Sequence, residues 1–535
     1  MADDNKIVLS EFTEALLSAL EQVKGKTRPD DMSALSVSQT VSFFALVYEK
    51  VRNAVEYRED HLILRAAIER ILRRRLSLNP EVRGEAENLL RELLWARYFD
   101  NSTLGGDDTA KIQILLDKYL TLRRSLVVGR SSEIQAQLNQ FLLDLLTCEI
   151  EEILRPESAQ TYSNLTFFIF QVLRKKISIE GLKEQQRDAY FLVATEKIFG
   201  KSDRSYLRYH LFITFYKTLS DYNSKELEDL TPNLPGVFKK IDDMVTNPYV
   251  DSLVKFTRKQ LPPFLVLFDI IKTKGNKIRE ILSDKDKLKT EVDLMCREKY
   301  QAMGDRIRNL AIRSFIYILL TKMIFAIILE YPLSLYIYGE VSHMAVLINS
   351  IVPPILMALI VTFFRVPGED NTRKIYQRIV EIVDADKTFE TKVSYMPKKT
   401  TVKRPILVFG FTIFYSLTFI VTLTLIYEVL AYIHFNFVSQ AIFIFFVSVV
   451  TFFSYRIKQV TKELTLSEKE SIFTPIIDFF FMPILSLGKY FSSEIARLNF
   501  FIFIFDFIIE APFKLLFEIV EEWISFVKKR KEEII

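Results

Sequence analysis

Cysteine is almost missing from this chain: 535 residues hold two, Cys148 and Cys296. A disulfide framework is therefore excluded, and neither cysteine has the CxxC or Cys/His spacing of a zinc site. Histidine is nearly as scarce, with His61, His210, His343 and His434 each standing alone. Glycine occurs 14 times in all, and the apolar runs contain no GxxxG pattern of the kind that lets membrane helices pack closely. An excess of one charge sign is also lacking. The first 313 residues carry 49 basic and 46 acidic side chains and the remainder 22 and 21. A nucleic-acid partner is not expected from such a balance, because phosphate binding needs a cationic surplus or face. Nucleophile-elbow and HExxH motifs are absent too, so an enzyme is unsupported and no cofactor is implied.

What the chain does have is apolar length. Met344 to Phe364 and Ile406 to Tyr427 are free of charge over 21 and 22 residues, and Phe437 to Tyr455 over 19. Ser314 to Tyr338 is interrupted only by Lys322 and Glu330. At about 1.5 Å per residue each run can cross roughly 30 Å of hydrocarbon. The expectation is a four-span transmembrane bundle over 314–455, with spans at 314–338, 344–364, 406–427 and 437–455 and a loop at 365–405. Arg306, Arg308 and Arg313 precede the first run, ten Lys/Arg lie between Arg365 and Arg404, and Arg456, Lys458 and Lys462 follow the fourth. By contrast, Gly339 to His343 and Glu428 to Asn436 have no Lys or Arg. The positive-inside rule then places both termini in the cytoplasm. The polar, acidic start Met1-Ala-Asp-Asp-Asn-Lys reads as no targeting segment. With the paucity of cysteine this favours a cell membrane of the bacterial cytoplasmic type. Pro353-Pro354 inside the second span predicts a kink.

The stretch 456–535 is read as amphipathic. Asp506, Glu510, Lys514 and Glu518 recur every four residues and share one helical face, while Asp478 and Pro483 mark the segment before them. An interfacial or re-entrant helical pair is expected. The tail Lys528-Lys529-Arg530-Lys531 is placed against lipid headgroups.

Residues 1–283 read as a cytosolic all-helical bundle or irregular α-solenoid, with no strand pattern and no fixed repeat. Clear helical patterns are His61 to Leu76, Glu81 to Tyr98, Ser132 to Leu154, Leu182 to Phe199 and Asp203 to Leu219. Residues 284–313 continue without a helix breaker into the first apolar run, predicting one long connecting helix. Phe199-Gly200-Lys201-Ser202 resembles the end of a phosphate loop, but its first glycine is replaced by Thr195, so a helix end followed by a capped helix start is expected. Asp284-Lys-Asp286 and Asp384-Ala-Asp386 have the spacing of a metal-holding pair in charged, surface-like surroundings; no metal site is assigned. Arg65, Arg70, Arg73, Arg74 and Arg75, like Arg174 to Lys176, read as basic helix ends that complement the dipole, with membrane-surface contact as the other reading.

Lys322 and Glu330 are the sharpest functional signal, since charges at membrane depth are costly and usually face a partner or water. In an ideal helix they stand about 12 Å apart along the axis and roughly 80° around it, which predicts that they do not pair with each other. Each then needs a partner elsewhere, such as Asp506, Glu510 or Lys514, or must snorkel toward the surface, a course open to Lys322 near the cytoplasmic end. Three activities follow: a membrane-anchored scaffold or assembly factor whose helical domain binds a protein; a channel or transporter lined by Lys322, Glu330, Asp478, Asp506, Glu510 and Lys514; or, last, an intramembrane enzyme acting on lipid. The bilayer is the expected partner in every case, and self-association is left open.

Overall fold

The structure is a computed structural model. It describes residues 5–24, 35–56, 60–78, 84–101, 103–127, 129–200, 202–362, 366–386, 394–396, 405–466 and 474–496, with positions 519, 523, 526 and 527. Among these the chain is all-α apart from two three-residue strands, and it divides into two units.

One unit covers Glu11–Thr257 with Thr391–Pro397 and Phe500–Ile535. Its helices are α1 (Glu11–Lys24), α2 (Gln39–Glu56), α3 (Asp60–Leu78), α4 (Glu85–Trp95), α5 (Gly106–Val127), α6 (Ser132–Leu154) and α7 (Pro156–Arg174). A short strand β1 (Ile177–Ile179) follows, then α8 (Glu184–Phe199), α9 (Arg204–Phe215), α10 (Ser224–Leu230), α11 (Leu234–Val245) and the first part of α12 (Pro248–Lys274). The helical patterns read from the sequence are matched closely: α6 begins and ends at the expected residues, and α3, α8 and α9 lie within a few positions of theirs. Helix α6 is the hub, packed by α3, α5, α7, α9 and α11. Leu142, Leu145, Leu146, Cys148 and Ile150 are fully buried along it. Against the expectation of no strand, Ile177–Ile179 pairs in parallel with β2 (Ser394–Met396), Ile177 opposite Ser394.

The other unit joins Met1–Ser10 to Arg258–Glu390 and Lys398–Asn499. It comprises the rest of α12, then α13 (Ile278–Leu282), α14 (Lys285–Phe325), a π-helical turn (Ala326–Glu330), α15 (Tyr331–Tyr338), α16 (His343–Thr362), α17 (Glu369–Val383), α18 (Pro405–Tyr432), α19 (Phe437–Lys462) and α20 (Thr474–Ala496). Among the described residues four helices are long and apolar enough to cross a membrane: Lys285–Tyr338, His343–Val361, Phe409–Tyr432 and Phe437–Lys462. The first is a continuous 54-residue helix, about 80 Å at 1.5 Å per residue. Pro353 and Pro354 lie buried inside α16 without ending it.

The N-terminal residues clasp the polar base of this unit. Lys6 bridges Asp284 and Leu9 bridges Asp384, both antiparallel. The Ile7 N–H donates to the Ser283 carbonyl at 2.9 Å, the Ser10 N–H to Val383 at 2.7 Å, and the Ala385 N–H to Val8 at 2.7 Å. Residues 5–10 therefore join the start of α14 to the end of α17, with the Ile7 side chain buried. Higher up, α20 lies along α19. Gly488 makes that approach possible: a Cβ there would stand 2.1 Å from the Ser448 carbonyl oxygen and 2.7 Å from the Phe452 Cβ.

Candidate functional site

Lys322 and Glu330 meet. The Lys322 Nζ is 3.2 Å from the Glu330 Oε2, and both side chains have no exposed surface. This overturns the expectation that the two cannot pair, and the π-helical turn between them is the reason. A wider turn absorbs about one extra residue, so positions eight apart behave as positions seven apart do in an α-helix. They then stand about 10 Å apart along the axis and roughly 20° around it, within reach of a lysine and a glutamate extended toward each other. The sequence cause is Pro332, which lacks the N–H to close an ordinary turn and whose ring would crowd the carbonyl four residues earlier.

Neighbouring helices complete the site. The Asn349 Nδ2 of α16 donates to the Glu330 Oε1 at 2.7 Å and to the Ser439 carbonyl of α19 at 3.1 Å. The Lys322 ammonium lies 4.7 Å from the centre of the Phe446 ring. Asn436 caps α19 by accepting from the Ser439 N–H at 2.8 Å, and its amide donates to the Ser334 Oγ at 3.1 Å. Three segments are thus cross-linked by polar bonds inside an apolar bundle. A buried ion pair of this kind is held by its added hydrogen bonds, because the desolvation of two charges offsets much of their attraction. Two amide oxygens here, Asn349 Oδ1 and Gln440 Oε1, are buried with no partner among the described residues. Pro353 also has no N–H to give the Asn349 carbonyl four residues before it. The proline pair read as a kink therefore stands one turn from the polar site.

The remaining sequence candidates are dispersed. Asp478 lies on α20, its side chain outside the described part; Asp506, Glu510, Lys514, Lys528, Lys529, Arg530 and Lys531 also lie outside the described residues. His343 is exposed at the first turn of α16, and His434 sits at positive φ in the turn before α19. Asp284 caps α14 by accepting from the Asp286 and Lys287 N–H groups at 3.0 and 3.1 Å. Asp384 accepts from the Asp386 N–H at 3.0 Å. Both acidic pairs are thus helix-end and turn chemistry. Gly200 ends α8 and Asp203 caps α9 by accepting from the Tyr206 N–H, as the helix-end reading expects.

The arginines of α3 need another account. Four of the five are neither simple dipole partners nor a membrane-facing row, because they are spent on internal carboxylates, whereas the exposed Arg73 pairs with Glu69 on its own helix. Arg65 holds Glu151 at 2.6 Å and Asp203 at 2.9 Å, Arg70 holds Glu49 at 2.6 Å, and Arg74 and Arg75 both meet Glu92. Sequence reasoning missed two further buried groups in this unit. Arg208 is held between Asp144 at 2.5 Å and Asp242 at 2.7 Å, with its guanidinium over Phe141. The His210 Nδ1 lies 2.7 Å from the Glu196 Oε1, whose other oxygen accepts from the Tyr162 hydroxyl at 2.7 Å. Burial works against the His210 charge, but the adjoining Glu196 carboxylate, with Glu152 behind it, raises its pKa above the ordinary imidazole value. Spacing carries no sign of Arg208 or His210 as sites, since their partners lie far away in the chain. Burial also pushes the Cys148 thiol well up, which keeps it unreactive.

No family model, curated protein or solved structure matches the chain.

Proposed function

We propose that this is a multi-pass integral membrane protein, with both termini on the cytoplasmic side of a cell membrane, that acts as a membrane-anchored scaffold or assembly factor through its helical unit. One observation supports the reading above all: the two charges within the first apolar run, Lys322 and Glu330, neutralise each other with no exposed surface. Charged groups that line a transport route face water or a substrate. Here they instead pin α14, α16 and α19 into a packed bundle, which gives the apolar helices the role of an anchor. The 54-residue helix Lys285–Tyr338 is a stiff mount for such an anchor. Recognition then falls to the helical unit, whose surface carries exposed aromatic side chains such as Phe167 and Phe215.

The test is water accessibility of single cysteines at positions 322, 330 and 349, after replacement of Cys148 and Cys296, in sealed vesicles treated from each side with membrane-impermeant thiol reagents. Protection of all three from both sides is expected. Labelling of position 330 or 349 from both sides would replace the scaffold reading with a channel or transporter.

A further inference from the structure

Where α14 passes from its charged to its apolar half, an open groove of about 420 Å³ runs between it and the last turn of α16. Its floor is apolar, with Ile307, Ala311 and Phe315 from α14 and Ala358 and Val361 from α16; Gly304 leaves the mouth open, and the exposed Arg308 stands there. On α14, positions 304, 308, 311 and 315 fall on one face, so the basic group sits about 10 Å along the axis from the aromatic end. We infer that this groove binds an anionic phospholipid of the bilayer, one acyl chain lying along Ala311, Phe315 and Val361 and the headgroup phosphate meeting Arg308.

The inference rests on the membrane reading above and deepens it. A basic side chain at one end of an apolar cleft between membrane helices has the shape and charge of such a lipid, with the cation at headgroup depth and the cleft at acyl depth. A zwitterionic lipid offers the same chain, but its own ammonium reduces what Arg308 gains. A guanidinium also matches phosphate oxygens bidentately. Arg308 now contacts Asp305 at 3.1 Å, both side chains being more than half exposed. An exposed pair of this kind is weak and yields readily to a phosphate. Asp305 is thus a competitor whose removal should favour the lipid.

The experiment uses the full chain purified in a neutral detergent, with dioleoyl phosphatidylglycerol or dioleoyl phosphatidylcholine added and bound lipid read by native mass spectrometry. Phosphatidylglycerol should be retained in preference to phosphatidylcholine. Arg308→Gln should reduce that preference by about fivefold, the weight of one arginine near an anionic surface. Asp305→Asn should increase it, and Ala311→Phe, which fills the groove, should abolish retention of either lipid. Equal retention of the two lipids would overturn the inference, as would an Arg308→Gln variant that binds like the wild type. Resistance of the protein to alkaline carbonate extraction from membranes, measured in parallel, tests the membrane reading by itself. A chain that resists extraction but shows no lipid preference sinks the groove alone, whereas a chain released by carbonate sinks the membrane reading.

Discussion

Lys322 reaches Glu330 across a π-helical turn, a 3.2 Å contact between residues of one helix that an ideal α-helical turn would have kept apart. Each side chain is buried against other helices, so the pair ties the first apolar helix to α16 and α19 while leaving no net charge in the bundle. Removing one partner should therefore cost far more than removing both. Lys322→Met or Glu330→Gln alone is expected to lose about 3–5 kcal/mol, through the charge or polar group left stranded. The double variant Lys322→Met/Glu330→Leu should recover most of that loss. Thermal unfolding of the detergent-solubilised protein, compared across the three variants, measures it; additive losses would show that the two groups do not act as a pair.

The same geometry predicts what Pro332 does. Pro332→Ala restores an N–H and permits an ordinary α-helical turn, which would rotate Glu330 away from Lys322. A lower melting temperature is expected, although alanine is the better helix former by about 3 kcal/mol in a helix interior. Stabilisation by Pro332→Ala would mean that the pair contributes little.

Gly488 should tolerate no side chain. A Cβ would strike the Ser448 carbonyl and Phe452, so Gly488→Ala must push α20 off α19, with a cost of about 1–3 kcal/mol as for other overpacked contacts. The rings of Phe445 on α19 and Phe491 on α20 lie 4.9 Å apart, which makes these two positions a gauge of the spacing. Cysteines introduced at both, with Cys148 and Cys296 replaced, should be joined efficiently by a short bifunctional thiol reagent. The yield should fall when Gly488→Ala is added; an unchanged yield would show that the helices keep their distance.

His210 makes the helical unit pH-sensitive in a definite direction. Its pKa in the folded chain is raised, so folding favours the protonated form. The stability that it contributes is fully present below the unfolded value of about 6.5 and is lost as pH rises through the higher folded value. Chemical denaturation across neutral to mildly alkaline pH should show this decline, and His210→Gln should flatten it. An unchanged pH profile in that variant would assign the dependence to another group.

The N-terminal clasp gives a further expectation. Deleting residues 2–10 removes the bonds that join the α14 and α17 ends, and the loss of several backbone hydrogen bonds at about 1 kcal/mol each should lower stability measurably. Hydrogen exchange should speed up first at Lys285 and Ala385, whose N–H groups donate to the Asn5 and Val8 carbonyls; exchange left unchanged there would show that the clasp does not hold those ends.

Much of the architecture is legible in the sequence because it rests on local rules. Runs of 19–22 uncharged residues are long enough to cross a bilayer whatever surrounds them, and the helical period places α6 to the residue and α3, α8 and α9 within a few positions. Helix-end chemistry at Gly200 and Asp203 can likewise be read from composition, since a cap acts within four residues. The pairing of Lys322 with Glu330 cannot be read from the spacing of an ideal helix. Pro332 is the available signal, and within an apolar run it looks like one more uncharged position. Asn349 and Asn436 are hidden similarly, as uncharged members of apolar or turn segments.

The sequence alone determined that this chain is helical and that four of its helices are apolar enough to enter a membrane, because hydrophobic length and periodicity are properties of neighbours in the chain. Only the tertiary structure decided what the charges do. Arg65 finds Glu151 and Asp203, Arg208 finds Asp144 and Asp242, and Asn349 finds Glu330 and Ser439, across separations of 19 to 138 residues. Partner choice for a buried polar group depends on which helices pack face to face and in what register, and neither is encoded in the spacing of residues along one helix.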